Sequence, residues 1–118
     1  MLSIHSLTLA DLAQQMSRGA ISSLEATTAA LDRIEKNNAK LQSFVCILRD
    51  QALKEAQDLD DERIKGTVRG PLHGIPLALK DAFDTAGIPT RVGSKIFKNR
   101  IPSHDAEVVR RLKNSGAI

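Results

Sequence analysis

Residues 70–81, Gly-Pro-Leu-His-Gly-Ile-Pro-Leu-Ala-Leu-Lys-Asp, constrain this 118-residue chain more than any other stretch. Two glycines and two prolines fall within the first seven positions. Proline fixes φ, removes a backbone donor and pushes the residue before it into extended geometry, so a helix is excluded here. The pattern predicts a constrained loop over 70–76 leading into extended chain. Side chains alternate along extended backbone. Ile75, Leu77 and Leu79 therefore share one face, and Pro76, Ala78 and Lys80 the other. Lys80 thus stands opposite the large aliphatics, beside the small Ala78.

Helical patterns precede this segment. Thr8 and Asp11 have capping spacing, and Leu9, Leu12, Ala13 and Met16 fall on one helical face before Gly19. Ser22 and Glu25 repeat the spacing, with Leu24, Thr27, Leu31 and Ile34 continuing a stripe that fades at Asn37-Asn38. The apolar run Phe44–Leu48 is rich in strand formers and is expected to be a strand. A third helix is predicted over about 50–65, with Ala52, Leu53, Ala56 and Leu59 inward, Asp58, Asp60, Asp61 and Glu62 outward, and Gly66 ending it. Asp84–Thr90 reads as a turn-rich connection. Asp105 is expected to cap a last helix bearing Val108, Val109 and Leu112 and terminated by Gly116, with Ala117 and Ile118 opening another strand. Repeats and low-complexity tracts are absent from the sequence. One domain or less fits the length.

Composition narrows the function classes. Three Phe, with no Trp and no Tyr, give little for base stacking or a sugar platform. The net charge of +3 is spread along the chain, and Arg110, Arg111 and Lys113 alone do not form a nucleic-acid footprint. The single cysteine, Cys46, cannot form an internal disulfide and is expected to be a buried core thiol. Neither a signal-peptide pattern nor a run of membrane-spanning length is present, so a cytoplasmic protein is expected. Metal-ligand spacing and phosphate-cradling glycine motifs are also missing, and no cofactor is expected.

A lysine acts as a base only when partly neutral, and burial favours the neutral form. Lys80 is placed for such a role. Two solvated charges, Lys80 and Asp81, closing an edge strand would produce the same local pattern. His73 is expected to make a structural hydrogen bond. His5 and His104 have no catalytic context, and Ser94 and Ser103 read as loop hydroxyls or helix caps.

The 70–81 segment resembles the lysine-bearing segment of the amidase-signature family. Asp84-Thr85-Ala86-Gly87-Ile88-Pro89-Thr90, Gly93-Ser94 and Asp105-Ala106-Glu107-Val108-Val109 through Gly116-Ala117-Ile118 resemble its flanking blocks, in order. The resemblance implies an α/β fold, helices packed on a mixed, twisted β-sheet, of which residues 1–118 would be the N-terminal portion of a single amidase domain, incomplete at the C-terminal end. It implies that Lys80 is the lysine of a Ser-cis-Ser-Lys triad hydrolysing a carboxamide C–N bond, the serines lying downstream and the 118 residues alone being inactive. The implied substrate is a small-molecule amide, and the implied partners are another copy or amidotransferase subunits, without membrane or direct nucleic acid. Two other readings stay open: the amidase (A) subunit of a glutamyl-tRNA(Gln)/aspartyl-tRNA(Asn) amidotransferase, and a non-catalytic binding or assembly module. Ala82-Phe83-Asp84-Thr85 looks more like the general amidases than the amidotransferase subunit.

Overall fold

Capping chemistry sets where the helices begin. In the computed structural model, which describes residues 3–118, Thr8 Oγ1 accepts the Asp11 N–H at 3.1 Å and opens α1, Leu9–Ser17. Ser22 and Glu25 form the reciprocal box expected from their spacing, with Ser22 Oγ accepting from Glu25 N and Glu25 Oε2 accepting from Ser22 N, and start α2, Ser23–Leu41. The third helix, α3, runs Arg49–Ile64 and the fourth, α4, Glu107–Asn114. Short 3₁₀ turns lie at Ile4–Ser6 and Lys95–Phe97.

Three of the four helices end by one rule, and α2 ends instead at Gln42, itself in the left-handed region at φ +51°. After α4, Gly116 takes φ +90°, its N–H donates to the Lys113 carbonyl, and the Ala117 N–H donates to that of Leu112. This satisfies carbonyls the helix would otherwise leave unpaired, in a conformation glycine adopts without steric cost. The same pair of bonds closes α1 at Gly19 and α3 at Gly66.

The helices α2 and α3 pack against each other, burying Ser23, Ala26, Thr27 and Leu31 of one and Ala56 and Leu59 of the other. Met16, Ala26 and Ile75 form the central cluster, with Leu12, Ala13, Ile21 and Leu72 packed on it. Full burial of side chains such as Met16 and Ile75 contributes about 1.5–3 kcal/mol each. The constrained 70–76 loop is thereby part of the core. More large apolar side chains are exposed than buried among the described residues. The radius of gyration, 15.0 Å, exceeds the about 13.5 Å of a compact domain of this length.

Several expectations are corrected. No strand occurs among the described residues, so the expected mixed, twisted sheet is not found. Phe44–Leu48 is a largely exposed connection: the Phe44 N–H and carbonyl are bound by the Asn38 side chain, at 2.9 and 3.0 Å, and among the described residues the one backbone bond to the run is from the Ala52 N–H to the Leu48 carbonyl, where α3 begins. Strand propensity needs a partner to act. Cys46 lies in that connection and is exposed, not buried. Leu9 is exposed, and Ala52 and Leu53 are only partly buried.

Asp60 does not face outward. Its carboxylate accepts the Ser23 and Leu24 N–H groups at 2.7 and 2.9 Å, capping the start of α2 from α3. Glu62 likewise turns to pair with Arg69. Asp105 does not cap α4, whose N-cap is Ala106 without a side-chain bond. It accepts the Ala86 N–H and pairs with Lys113 instead.

Candidate active site

The Lys80 backbone is positioned by bonds on three sides. Below it, Gly74 N donates to Gly116 O, Ile118 N to Ile75 O, and Leu77 N to Ile118 O, at 2.8 to 2.9 Å. This is the slanted pattern of parallel chains. It ends at Leu77, and the residues beyond it up to Lys80 have no backbone partner for their N–H groups among the described residues. Above it, Phe83 N donates to the Lys80 carbonyl in a tight turn. Beside it, Asp81 holds a distant loop twice: its carboxylate accepts the Arg91 N–H at 3.0 Å and its carbonyl the Val92 N–H at 2.8 Å. Val92, a β-branched residue, sits at φ +54°, a conformation non-glycine residues rarely adopt.

The same loop is fastened further out. Arg100 makes a two-pronged pair with Asp84 at 2.6 and 2.8 Å, and its hydrogen bonds hold the Asp84 carboxyl below the usual carboxylate range. Asp105 is held low by Lys113 first and by the Ala86 N–H second. Gly87 N bonds Pro102 O, and Thr90 N bonds Arg100 O. The segment following Lys80 is thus a folded platform.

His73 anchors the base of the site. The residue is 3% exposed, its Nδ1 accepts the Arg69 N–H at 3.0 Å, and its Nε2 faces the Leu59 carbonyl at 2.8 Å. A backbone N–H can only donate and a carbonyl only accept, so the tautomer protonated at Nε2 satisfies both. This is the expected structural role. Arg63 Nη2 donates to the His73 carbonyl at 2.9 Å and ties the loop to α3.

The geometry brings Lys80 and Asp81 to the top of this anchored segment but gathers no serine around the ammonium. Lys80 is exposed, as are Leu77 and Leu79, while Ile75 on the same face is buried. Ser94 caps the 3₁₀ turn by accepting the Ile96 N–H, and Ser103 Oγ lies 2.8 Å from His104 Nδ1. His5 lies in the first 3₁₀ turn. None of these extends a catalytic cluster. Among the described residues no group of three or more His, Cys, Asp or Glu could hold a metal, and no helix is long and apolar enough to cross a membrane.

The amidase family model matches residues 25–118, well over half of the sequence. The chain belongs to the amidase family. It is 44% identical over 112 residues to the A subunit of a glutamyl-tRNA(Gln) amidotransferase from Streptomyces coelicolor, covering 95% of this chain and 22% of the relative. The corresponding A subunit from Moorella thermoacetica is 42% identical, with 98% of this chain and 24% of the relative covered. Among solved structures, the native peptide amidase from Stenotrophomonas maltophilia superposes with a TM-score of 0.88 at 40% identity, covering 96% of this chain and 23% of that one. The chain therefore spans 22% to 24% of the length of these relatives.

Sequence reasoning reaches Lys80 but not what holds it. Spacing alone makes Asp81 a solvated neighbour and gives Arg100 no role. Their partners lie ten and sixteen residues away in sequence. A side chain reaching that far into a loop follows no spacing rule.

Proposed function

We propose that this chain supplies the lysine of an amidase that hydrolyses a carboxamide C–N bond, with Lys80 as the proton-transfer group of a Ser-cis-Ser-Lys triad. The observation that carries the reading is the anchored Gly70–Asp81 segment, which fixes the Lys80 backbone on three sides and leaves its ammonium free of ion pairs with described residues. A preorganised backbone beneath an uncommitted amine suits a group that must exchange a proton with an incoming hydroxyl.

In this mechanism neutral Lys80 accepts a proton relayed from the nucleophilic serine as its oxygen attacks the amide carbonyl. The proton then leaves with ammonia or an amine as the C–N bond breaks. Water cleaves the resulting ester to a carboxylic acid and restores the serine. Lys80 requires shielding from water to be neutral at working pH. The 118 residues leave it exposed, so the shield and both serines come from polypeptide outside them. The 118 residues alone are accordingly inactive. The setting is cytoplasmic, with which the exposed free thiol of Cys46 agrees.

The test is labelling of the full-length gene product and of the 118-residue chain with an organophosphonate. The expected result is one labelled serine in the former, with loss of ammonia release from simple carboxamides, and no label in the latter. Labelling of Ser94 or Ser103, or reproducible amide turnover by the 118 residues, would overturn the reading.

The relatives named as the A subunit of a glutamyl-tRNA(Gln) amidotransferase favour a second reading. The same chemistry would then release ammonia from glutamine for use elsewhere in an assembly. Glutaminase activity that rises when the neighbouring subunits are added would select this reading; equal turnover of unrelated carboxamides without them would select the stand-alone amidase. A full-length product inactive on both, and unlabelled, would leave the assembly module.

A further inference from the structure

Between Leu77 and Asp81 the extended segment is a span held only at its two ends. The lower end is the bond from Leu77 N to Ile118 O at 2.9 Å. Above it, the N–H groups of Ala78, Leu79 and Lys80 and the carbonyls of Ala78 and Leu79 have no backbone partner among the described residues. Three extended residues cover roughly 10 Å. The Lys80 carbonyl is taken by Phe83 N, three residues on. That turn travels with the span and fixes it to nothing else, so the upper end depends on Asp81.

Asp81 is attached twice, through its carboxylate to the Arg91 N–H at 3.0 Å and through its carbonyl to the Val92 N–H at 2.8 Å. The loop receiving these bonds is firm. Thr90 is buried and its N–H bonds Arg100 O, Ser94 N closes a turn on Arg91 O, and Arg100 pairs with Asp84. A β-branched residue keeps φ +54°, as Val92 does, only where its surroundings hold it there. No ion pair joins Lys80 to Asp81 or to another carboxylate among the described residues. What Asp81 contributes is a fixed point, and an uncharged oxygen in the same place would supply it.

We propose that Asp81 is a positioning residue for the amidase reaction: its carboxylate, by holding the Arg91 backbone, sets where the Ala78–Lys80 span ends and so where the Lys80 amine meets the serine hydroxyl. This rests on the amidase reading above.

The test is steady-state kinetics of the full-length gene product on a simple carboxamide, with kcat expressed per serine labelled to completion by the organophosphonate, so that misfolded enzyme is not counted. Displacing a reacting group by about 1 Å costs up to roughly a hundredfold, so Asp81→Ala is expected to lower kcat at least about tenfold with KM within about threefold of the parent. Asp81→Asn keeps a carbonyl oxygen for the Arg91 N–H and is expected to recover kcat to within about threefold of the parent. If Asp81→Ala lowers only the melting temperature or the labelled fraction, or changes KM alone, the proposal is overturned. It is overturned too if Asp81→Asn is as damaging as Asp81→Ala, and a displaced pH profile of kcat/KM would then assign the effect to the carboxylate's charge. Lys80→Ala separates the two levels. Turnover lost in Lys80→Ala but kept in Asp81→Ala sinks this inference alone, whereas turnover kept in Lys80→Ala, or absent from the parent, sinks the amidase reading and this inference with it.

Discussion

Substituting Gly74 with alanine should be among the most damaging single-methyl additions in the chain. Gly74 is buried with φ +82°, and its N–H bonds the Gly116 carbonyl at 2.8 Å. A Cβ built there would lie 1.9 Å from Ser23 Oγ, 2.9 Å from Ser23 Cβ and 3.0 Å from Met16 Cε. Ser23 is fixed at the start of α2 by Asp60, and Met16 is in the core, so neither yields easily. Left-handed backbone costs alanine roughly 1–2 kcal/mol, and overpacking a close-packed site adds about 1–3 kcal/mol. The expected loss is about 2–5 kcal/mol out of a total on the order of 5–15 kcal/mol. Gly87→Ala is the control: its φ is +76°, but nothing lies within 4 Å of the added carbon. Urea unfolding followed by circular dichroism should show a midpoint roughly 1–3 M lower for Gly74→Ala. Gly87→Ala should show only the backbone share, and the difference measures the clash. A Gly74→Ala midpoint equal to that of Gly87→Ala would refute the packing of the 70–76 loop against α1 and α2.

Asp60→Ala removes the carboxylate that caps α2 and should cost about 1–2 kcal/mol in thermal unfolding, whereas exposed Asp61→Ala should stay within about 0.5 kcal/mol; equal effects would contradict the cap. The Arg110 and Arg111 guanidiniums hold Glu107 down at about 2, from an ordinary 4.5. Because the folded-state value is the lower one, this contribution to stability is complete above about pH 4.5 and is lost as pH falls towards 2. Glu107→Gln should flatten the acid dependence of the urea midpoint in that interval, less so in high salt because the pairs are exposed. An unchanged slope would contradict the pairing.

The helical half of the fold is legible in the sequence because its signals are local. Ser22 and Glu25 meet across one turn, and Gly19, Gly66 and Gly116 stop their helices by backbone geometry that only neighbouring residues determine. What is not legible depends on contacts distant in sequence. Asp60 reads as one of several surface acids until α3 lies beside the first turn of α2, thirty-seven residues earlier. Phe44–Leu48 has the composition of a strand, and composition cannot say whether a partner chain is present to accept its hydrogen bonds. The candidate site divides the same way. The Gly-Pro spacing marks Lys80 as the end of a rigid extended segment, while its tethering through Asp81 to Arg91 and Val92 arises only when the loop folds back.

The assignment of Lys80 is tested most directly by steady-state turnover of the full-length gene product carrying Lys80→Ala or Lys80→Arg, with thermal unfolding measured in parallel. A base cannot be replaced by a guanidinium that stays protonated. Both variants should therefore lose at least about a hundredfold in kcat/KM while still unfolding in a cooperative thermal transition, which shows that the loss is not one of folding. Near-parental turnover by Lys80→Arg would contradict the account, and would return Lys80 and Asp81 to the standing of solvated charges at the end of an extended segment.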